Sequence, residues 1–526
     1  MTNSNIQHPT SNIGGERTLD ALTRSGRIAV TLPPSDVPPS SATIPSALLR
    51  EDLPLPELSQ LDVVRHYTRL SQLNWSIDTH MYPLGSCTMK LNPKVNDAIA
   101  AMPSFAEAHP MQPAADAQGA LAVMYGLQRM LAEITGMDET SLAPLAGAQG
   151  ELAGVLLIKA YLESIGEHRT TVLVADSAHG TNPATASMAG FDVVAVKPRP
   201  DGDMDLDALR AALEEHGPTV AALMITLPST LGLFDRNIVQ IAEMVHAHGA
   251  LMYGDGANMN AMLGQVKPGD LGFDVMHLNL HKTFSQPHGG GGPGAGPIVV
   301  KQHLATFLPS PHVALASERP ERTVGAQPAA PAPHEPPAAS ELPPPTSRFS
   351  PPAQYALHNP DHTIGRLGAH AGNFGVALRA YAYIRSLGAD GLRAISEAAV
   401  LNANYVQARL RGAYDLAHDR TCMHEVLFSG KRQKSQGAKT LDIAKRMIDY
   451  GYHPPTIYFP LVVDEAMLIE PTESESKETL DAFCDAMLQI AAEAETKPEL
   501  LRAAPHTAPL RRLDEATAAR TPILHW

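Results

Sequence analysis

Between Thr171 and Leu278 the chain alternates short apolar runs with stretches of helical periodicity, and no other feature narrows its fold as far. Strands are predicted at Thr171–Ala175, Asp192–Val196, Val220–Thr226, Ala250–Tyr253 and Asp274–Leu278, with helices at Asn182–Ala189, Asp205–Glu215 and Arg236–His248 between them. Runs rich in Val, Leu, Ile and Met are suited to strands buried on both faces, and the intervening helices supply the crossovers that parallel pairing needs. The fold class is therefore α/β. Ligands of such sheets bind at the carboxyl ends of the strands, and candidate site residues are sought there.

Helical spacing also marks Asp116–Thr135, through Leu121, Met124, Leu127 and Leu131, and Gly150–Ile165. Further on, helices at Ala377–Leu387, Leu392–Gly412 and Ser476–Glu495 and a strand at Thr456–Val463 suggest a smaller C-terminal α/β unit. Between Pro309 and Pro360 lie 14 of the 45 prolines. That segment is too poor in large apolar residues to bury a core and reads as a linker. The expected organisation is an N-terminal arm over 1–90, a large domain over 91–308, the Pro-rich linker over 309–360 and a small domain over 361–526. The arm holds a Pro-rich passage from Pro33 to Pro56 and either wraps a neighbouring subunit or is a tail.

Lys and Arg number 40 against 55 Asp and Glu, a formal net charge of −15. This balance gives no support to a nucleic-acid or anionic-membrane surface. The three cysteines, Cys87, Cys422 and Cys484, lack the spacing of a disulfide framework or structural zinc site. With no secretory signal at the start and no apolar run of about 20 residues, a cytoplasmic protein is expected. The 23 histidines form no dense cluster with Cys or carboxylates, so no metal is expected.

Four strings carry chemistry. In His277-Leu278-Asn279-Leu280-His281-Lys282-Thr283-Phe284, a lysine follows a strand and precedes the glycines Gly289–Gly292. Such a lysine can capture an aldehyde if its amine is available as a nucleophile, although a lone Lys in a glycine-rich loop is usually only solvated. Asp255, in Tyr253-Gly254-Asp255-Gly256-Ala257-Asn258, sits at another strand end. A carboxylate there can pair with a protonated ring nitrogen such as the pyridinium of pyridoxal phosphate, or simply serve a turn. Ala146-Gly147-Ala148-Gln149-Gly150-Glu151 opens a helix whose amides suit a phosphate. In His179-Gly180-Thr181-Asn182-Pro183, His179 is placed to stack on an aromatic ring, while Thr181 or Asn182 would cap the next helix.

Together these strings resemble the glycine decarboxylase, or P-protein, family of the glycine cleavage system. Met81–Lys90, Pro228–Gly232, Gly372–Gly375, Lys439–Arg446, His453–Pro460 and Glu470–Ser476 extend the resemblance from about residue 60 to the end, apart from the Pro-rich segment. It implies an aminotransferase-like, fold-type I pyridoxal-phosphate enzyme with a large mixed-sheet domain. Lys282 would be the Schiff-base lysine, Asp255 the pyridinium partner and His179 the residue against the ring. Ala148 and Gln149 would help seat the phosphate, with Thr230, Asn258 and His281 lining the site. The length matches one catalytic half, so the resemblance also implies a second subunit, a heterotetramer, and transfer of the aminomethyl group of glycine to a lipoylated H-protein. Another fold-type I amino-acid decarboxylase or aminotransferase, or a noncatalytic scaffold, are the alternatives. Retention of both Lys282 and Asp255 counts against the scaffold.

Overall fold

The computed structural model describes residues 16–38, 44–50, 53, 55–288, 294–316, 355–368 and 370–523. The run of glycines after His288 and the middle of the Pro-rich segment, 317–354, lie outside the described residues.

A seven-stranded sheet forms the large unit, in the order β1-β7-β6-β5-β4-β2-β3. β2 (Thr171–Ala175), β3 (Asp192–Val196) and β4 (Val220–Thr226) have the bounds their apolar runs predict. β5 (Leu251–Gly256) runs three residues further than expected, and β6 is Val275–Leu278. These five pair in parallel. β1 (Glu139–Ser141) and β7 (Ile298–Val300) add an antiparallel edge, with β7 against β6 and β1 against β7, so the sheet is mixed. Sequence periodicity misses both because each has only three residues and β1 is polar.

Leu223, Met252 and Met276, on successive strands, are fully buried, each contributing about 1.5–3 kcal/mol by leaving water. Helices Gln118–Thr135, Gly147–Ser164 and Ile238–Ala247 cover the sheet faces. Register matters most for the site: Thr226 lies beside Asp255 and Asp255 beside His277, which brings the carboxyl ends of β4, β5 and β6 level.

The two predicted helices around residue 390 are one element, Phe374–Leu410, broken at Gly388, whose φ of 65° lies in the left-handed region. Val376, Ala380 and Ile384 before the break join the core of the large unit, while Ala403, Val406 and Leu410 after it join that of the small unit. A division at residue 360 therefore cuts ahead of a helix that both cores share.

The small unit carries an antiparallel sheet ordered β10-β11-β13-β12, from β10 (Asp415–Leu416), β11 (Val426–Ser429), β12 (Thr456–Ile457) and β13 (Ala466–Ile469). β12 is far shorter than the predicted Thr456–Val463, because Tyr458 turns at φ 58° and the chain then leaves the sheet, with Leu461 exposed. The flanks of the Pro-rich segment also differ from an unstructured linker. β8 (His312–Leu315) and β9 (Tyr355–His358) pair antiparallel and hold its two ends together. Among the described residues, no helix is long and apolar enough to cross a membrane.

Candidate active site

The ends of β4, β5 and β6, the start of helix Gly147–Ser164 and the loop after β2 surround a cavity of about 210 Å³. Lys282, Asp255, His179, Ala148, Thr230, Asn258 and His281 all line it. Residues predicted from separate strings thus meet in one place, and only Gln149 does not. Its side chain turns to accept from the amide of Leu145 at 2.6 Å and to donate to the Leu367 carbonyl at 2.8 Å.

Asp255 is 3% exposed. The amide of Ala257 donates to Oδ1 at 2.9 Å, Asn182 Nδ2 donates to Oδ2 at 3.1 Å, and His277 Nε2 stands 3.3 Å from Oδ1. Burial pushes its carboxyl up, but His277, the Ala257 amide, Lys282 and Asn182 outweigh this and hold it below the usual carboxylate range. Burial lowers His277 and raises Tyr253. A neutral imidazole, accepting from the Tyr253 hydroxyl at Nδ1 (2.9 Å) and donating from Nε2 to Asp255, satisfies both contacts. Asp255 is in effect a fixed buried anion.

Gly256 allows this packing, since a Cβ there would stand 2.3 Å from the His277 carbonyl oxygen. Gly256→Ala is expected to cost about 1–3 kcal/mol of stability through forced backbone shifts, measured by denaturant unfolding.

Lys282 lies in the single helical turn Leu280–Thr283 directly after β6, and its Nζ donates to the Ser86 carbonyl at 3.0 Å. Ser86 arrives from the end of the stretch 1–90 that the sequence marks as an arm. Its φ of 63° aims its carbonyl at the lysine, while its amide donates to Glu425 Oε2 at 2.6 Å.

Helix Gly147–Ser164 begins at the cavity wall with no side chain capping it. Its first amides are the groups a helix leaves unpaired within itself, and Gly147 and Ala148 place this positive end in the cavity. One turn on, Glu151 accepts from Thr181 Oγ1 (3.2 Å) and from Asn182 Nδ2. The predicted capping role of Thr181 and Asn182 is therefore not seen: both lie inside the first turn, and Asn182 bridges the Glu151 and Asp255 carboxylates. Burial, followed by the charge of Asp255, pushes Glu151 up to about 7.

Because the folded value exceeds the ordinary one near 4.5, the native chain binds more protons than the unfolded chain across that interval. The contribution of Glu151 to stability is full below about 4.5 and is lost as pH rises through about 7. Glu151→Gln is expected to reduce the difference in unfolding free energy of the cofactor-free chain between pH 5 and pH 8 by roughly 2 kcal/mol.

His179 pairs its Nδ1 with Thr181 Oγ1 at 2.8 Å and meets the Phe459 ring edge-on at 5.6 Å, which brings the small unit over the cavity. Thr230 donates to the Ser177 carbonyl. Asn258 donates to the Pro228 carbonyl at 3.0 Å and reaches Glu425 at 3.4 Å. Burial, with His288 and Lys282 nearby, lowers His281 to about 4, so it is neutral.

Residues 37–324, more than half of the chain, match the family model described as glycine cleavage system P-protein. The chain belongs to this family. Residues 395–508 match a second model, the glycine dehydrogenase C-terminal domain. A relative from Caldanaerobacter subterraneus subsp. tengcongensis, described as "Probable glycine dehydrogenase (decarboxylating) subunit 2", is 52% identical over 509 residues, 96% of this chain and 97% of its own. One from Halalkalibacterium halodurans under the same description is 52% identical over 510 residues, with the same shares. Among solved structures, a glycine decarboxylase (P-protein) of the glycine cleavage system in inhibitor-bound form aligns with a TM-score of 0.67 at 21% identity, covering 85% of this chain and 93% of that one. The sphingosine-1-phosphate lyase of Burkholderia pseudomallei aligns at 0.58 and 14% identity, covering 86% and 95%. These likenesses establish the fold-type I architecture.

Proposed function

We propose that this P-protein chain is the cofactor-bearing subunit of a two-chain glycine decarboxylase. It removes the carboxylate of glycine and passes the aminomethyl group to the lipoyl arm of an H-protein. The observation that carries this reading is the convergence of Lys282 and Asp255, from separate strand ends, on one cavity beside an uncapped helix start. Relatives named as this enzyme's subunit 2, aligned over nearly the full length, favour it over another decarboxylase or an aminotransferase.

The donor set fits pyridoxal phosphate. Lys282 would hold it through its amine, Asp255 would face its ring nitrogen, His179 would lie against the ring, and the first amides of helix Gly147–Ser164 would take the phosphate. When bound, the cofactor supplies an aldehyde for amine capture and a protonated ring that accepts the electrons left when carbon dioxide departs. Asp255, kept ionised at the expense of its own burial, favours the ring proton. His277 and Tyr253 hold that carboxylate in place, and the uncharged His281 adds no competing positive charge. Ser86 keeps the Lys282 amine at the cavity wall.

The proposed partners are a subunit 1, in a heterotetramer with two copies of each chain, and the lipoylated H-protein, all in the cytoplasm. Supporting a subunit contact, Ile28, Val30, Leu32, Leu48, Leu61 and Tyr67 of the arm and its following helix are all more than half exposed, an apolar surface of the kind partners cover.

The test combines the chain with its subunit 1, pyridoxal phosphate, lipoylated H-protein and labelled bicarbonate. Label is expected to enter the glycine carboxyl group. No exchange from a fully assembled, cofactor-loaded wild type would contradict the reading.

A further inference from the structure

Behind Lys282 lies a group of buried side chains that the site as described does not use. Glu425 immediately precedes β11 and Glu470 immediately follows β13. In the antiparallel register Val426 faces Ile469, so the two glutamates are the next cross-strand pair. Glu425 is fully buried and Glu470 is 1% exposed. Their carboxylate oxygens and a ring nitrogen of the fully buried His424 lie within 4.8 Å of one another.

Like charges directly opposite each other on a sheet repel, and two buried carboxyls this close cannot both ionise. Their hydrogen bonds leave room for a proton. Glu425 accepts from the Ser86 amide at 2.6 Å and from Asn258 at 3.4 Å, and Glu470 Oε1 accepts from the Thr88 hydroxyl at 2.5 Å. Glu470 Oε2 and both ring nitrogens of His424 are buried without a hydrogen-bond partner among the described residues. His424 Nε2 stands 3.9 Å from Glu470 Oε1. A single residue lies between the pair and the reacting amine: the Ser86 amide donates to Glu425, and the Ser86 carbonyl accepts from Lys282.

The reaction proposed above, on which this inference rests, needs such a proton. When carbon dioxide leaves zwitterionic glycine and a disulfide opens, one sulfur bonds the aminomethyl carbon and the other leaves as a thiolate. Each transfer therefore consumes one proton.

We propose that Glu425 and Glu470 share a proton and deliver it, through Lys282, to the thiolate released when the disulfide arm opens. The carboxyl proton passes to the Lys282 amine at the stage when that amine is free, leaving a carboxylate and an ammonium. The ammonium then protonates the thiolate, giving a thiol and restoring the amine, and the pair is recharged from solvent. Glu425 and Glu470 act through Lys282 and are positioning residues for that proton. Burial pushes both carboxyls up, Glu425 to about 7. The other titratable groups acting on them or on their neighbours are Lys282, Glu473, which is ion-paired with Lys90 at 2.8 Å, and the thiols of Cys87 and Cys422. A divalent cation could use the same three side chains. The metal content of the wild type distinguishes the two.

The test compares wild type with Glu470→Gln and Glu425→Gln, each as the full chain assembled with subunit 1 and loaded with cofactor. Infrared difference spectra at neutral pH, wild type minus either variant, should show loss of one protonated carboxyl group, and aminomethyl transfer should fall ~100-fold. Loss of carboxylate signal only, an unchanged transfer rate, or stoichiometric divalent metal bound by wild type and lost in Glu470→Gln would each overturn the proposal. If Glu470→Gln does not assemble, Thr88→Val serves instead. It removes the hydroxyl that favours ionised Glu470, so the protonated carboxyl should persist to higher pH than in wild type, and an unchanged titration would overturn the proposal. The infrared measurement needs no turnover. A wild type inactive in label exchange therefore counts against the function, whereas active exchange without the shared proton counts against this inference alone.

Discussion

Lys282→Ala is expected to reduce bicarbonate–glycine exchange by on the order of 10⁴-fold or more, the scale seen when the nucleophile of a covalent mechanism is removed. The protein should otherwise survive the change. Among the described residues the Lys282 amine makes one hydrogen bond, to the Ser86 carbonyl, and losing a single bond of this kind costs about 1 kcal/mol. Urea unfolding of the variant should therefore stay within about 1 kcal/mol of wild type. Large losses in both rate and stability would mean that Lys282 is chiefly a structural residue.

Asp255→Asn carries the second largest effect, and it should appear in both rate and stability. The variant removes the buried anion and turns an amide donor toward groups that already donate. Ala257 N–H, Asn182 Nδ2 and His277 Nε2 all point at this position. An unsatisfied buried group costs about 1–3 kcal/mol. Without a carboxylate to favour the ring proton, exchange should fall by ~10³-fold, within the range for a misplaced catalytic proton. Because the charge partners of Asp255 hold its carboxyl below the usual range, the wild-type carboxylate stays ionised as pH falls through ordinary carboxylate values. An acid limb of the rate profile should then come from other groups. Asp255→Glu, which keeps the charge but lengthens the arm, should recover part of the rate. Equal losses in Asp255→Asn and Asp255→Glu would show that packing outweighs charge at this position.

The central parallel strands were legible because they are buried on both faces: Val220–Thr226 is apolar almost throughout, and its strand has the predicted bounds. Lys282 and Asp255 were legible because each follows an apolar run and sits beside glycines. Other parts depend on long-range pairing that local patterns do not carry. Glu425 and Glu470, 45 residues apart, become neighbours only through the register of β11 and β13. His277 read as one of several histidines until the pairing of β5 with β6 placed it beside Asp255. Glu151 stood within a string already read for its glycines, and only the fold brings Asn182 against it. The Gln149 side chain is placed differently from its neighbour's. A helix turns about 100° per residue, so of neighbouring residues at the helix start Ala148 reaches the cavity while Gln149 faces the Leu145 and Leu367 backbone. The strand Thr456–Val463 failed at Tyr458, where a positive φ ends the pairing that its apolar composition favours.

The central claim, that Lys282 carries the cofactor on this chain, is tested most directly by trapping. The assembled enzyme is loaded with pyridoxal phosphate, reduced with borohydride and digested, and the modified peptide is sequenced. The structure predicts one labelled peptide containing Lys282 and none from the Lys282→Ala variant. Label on another lysine of this chain, or only on the partner subunit, would contradict it.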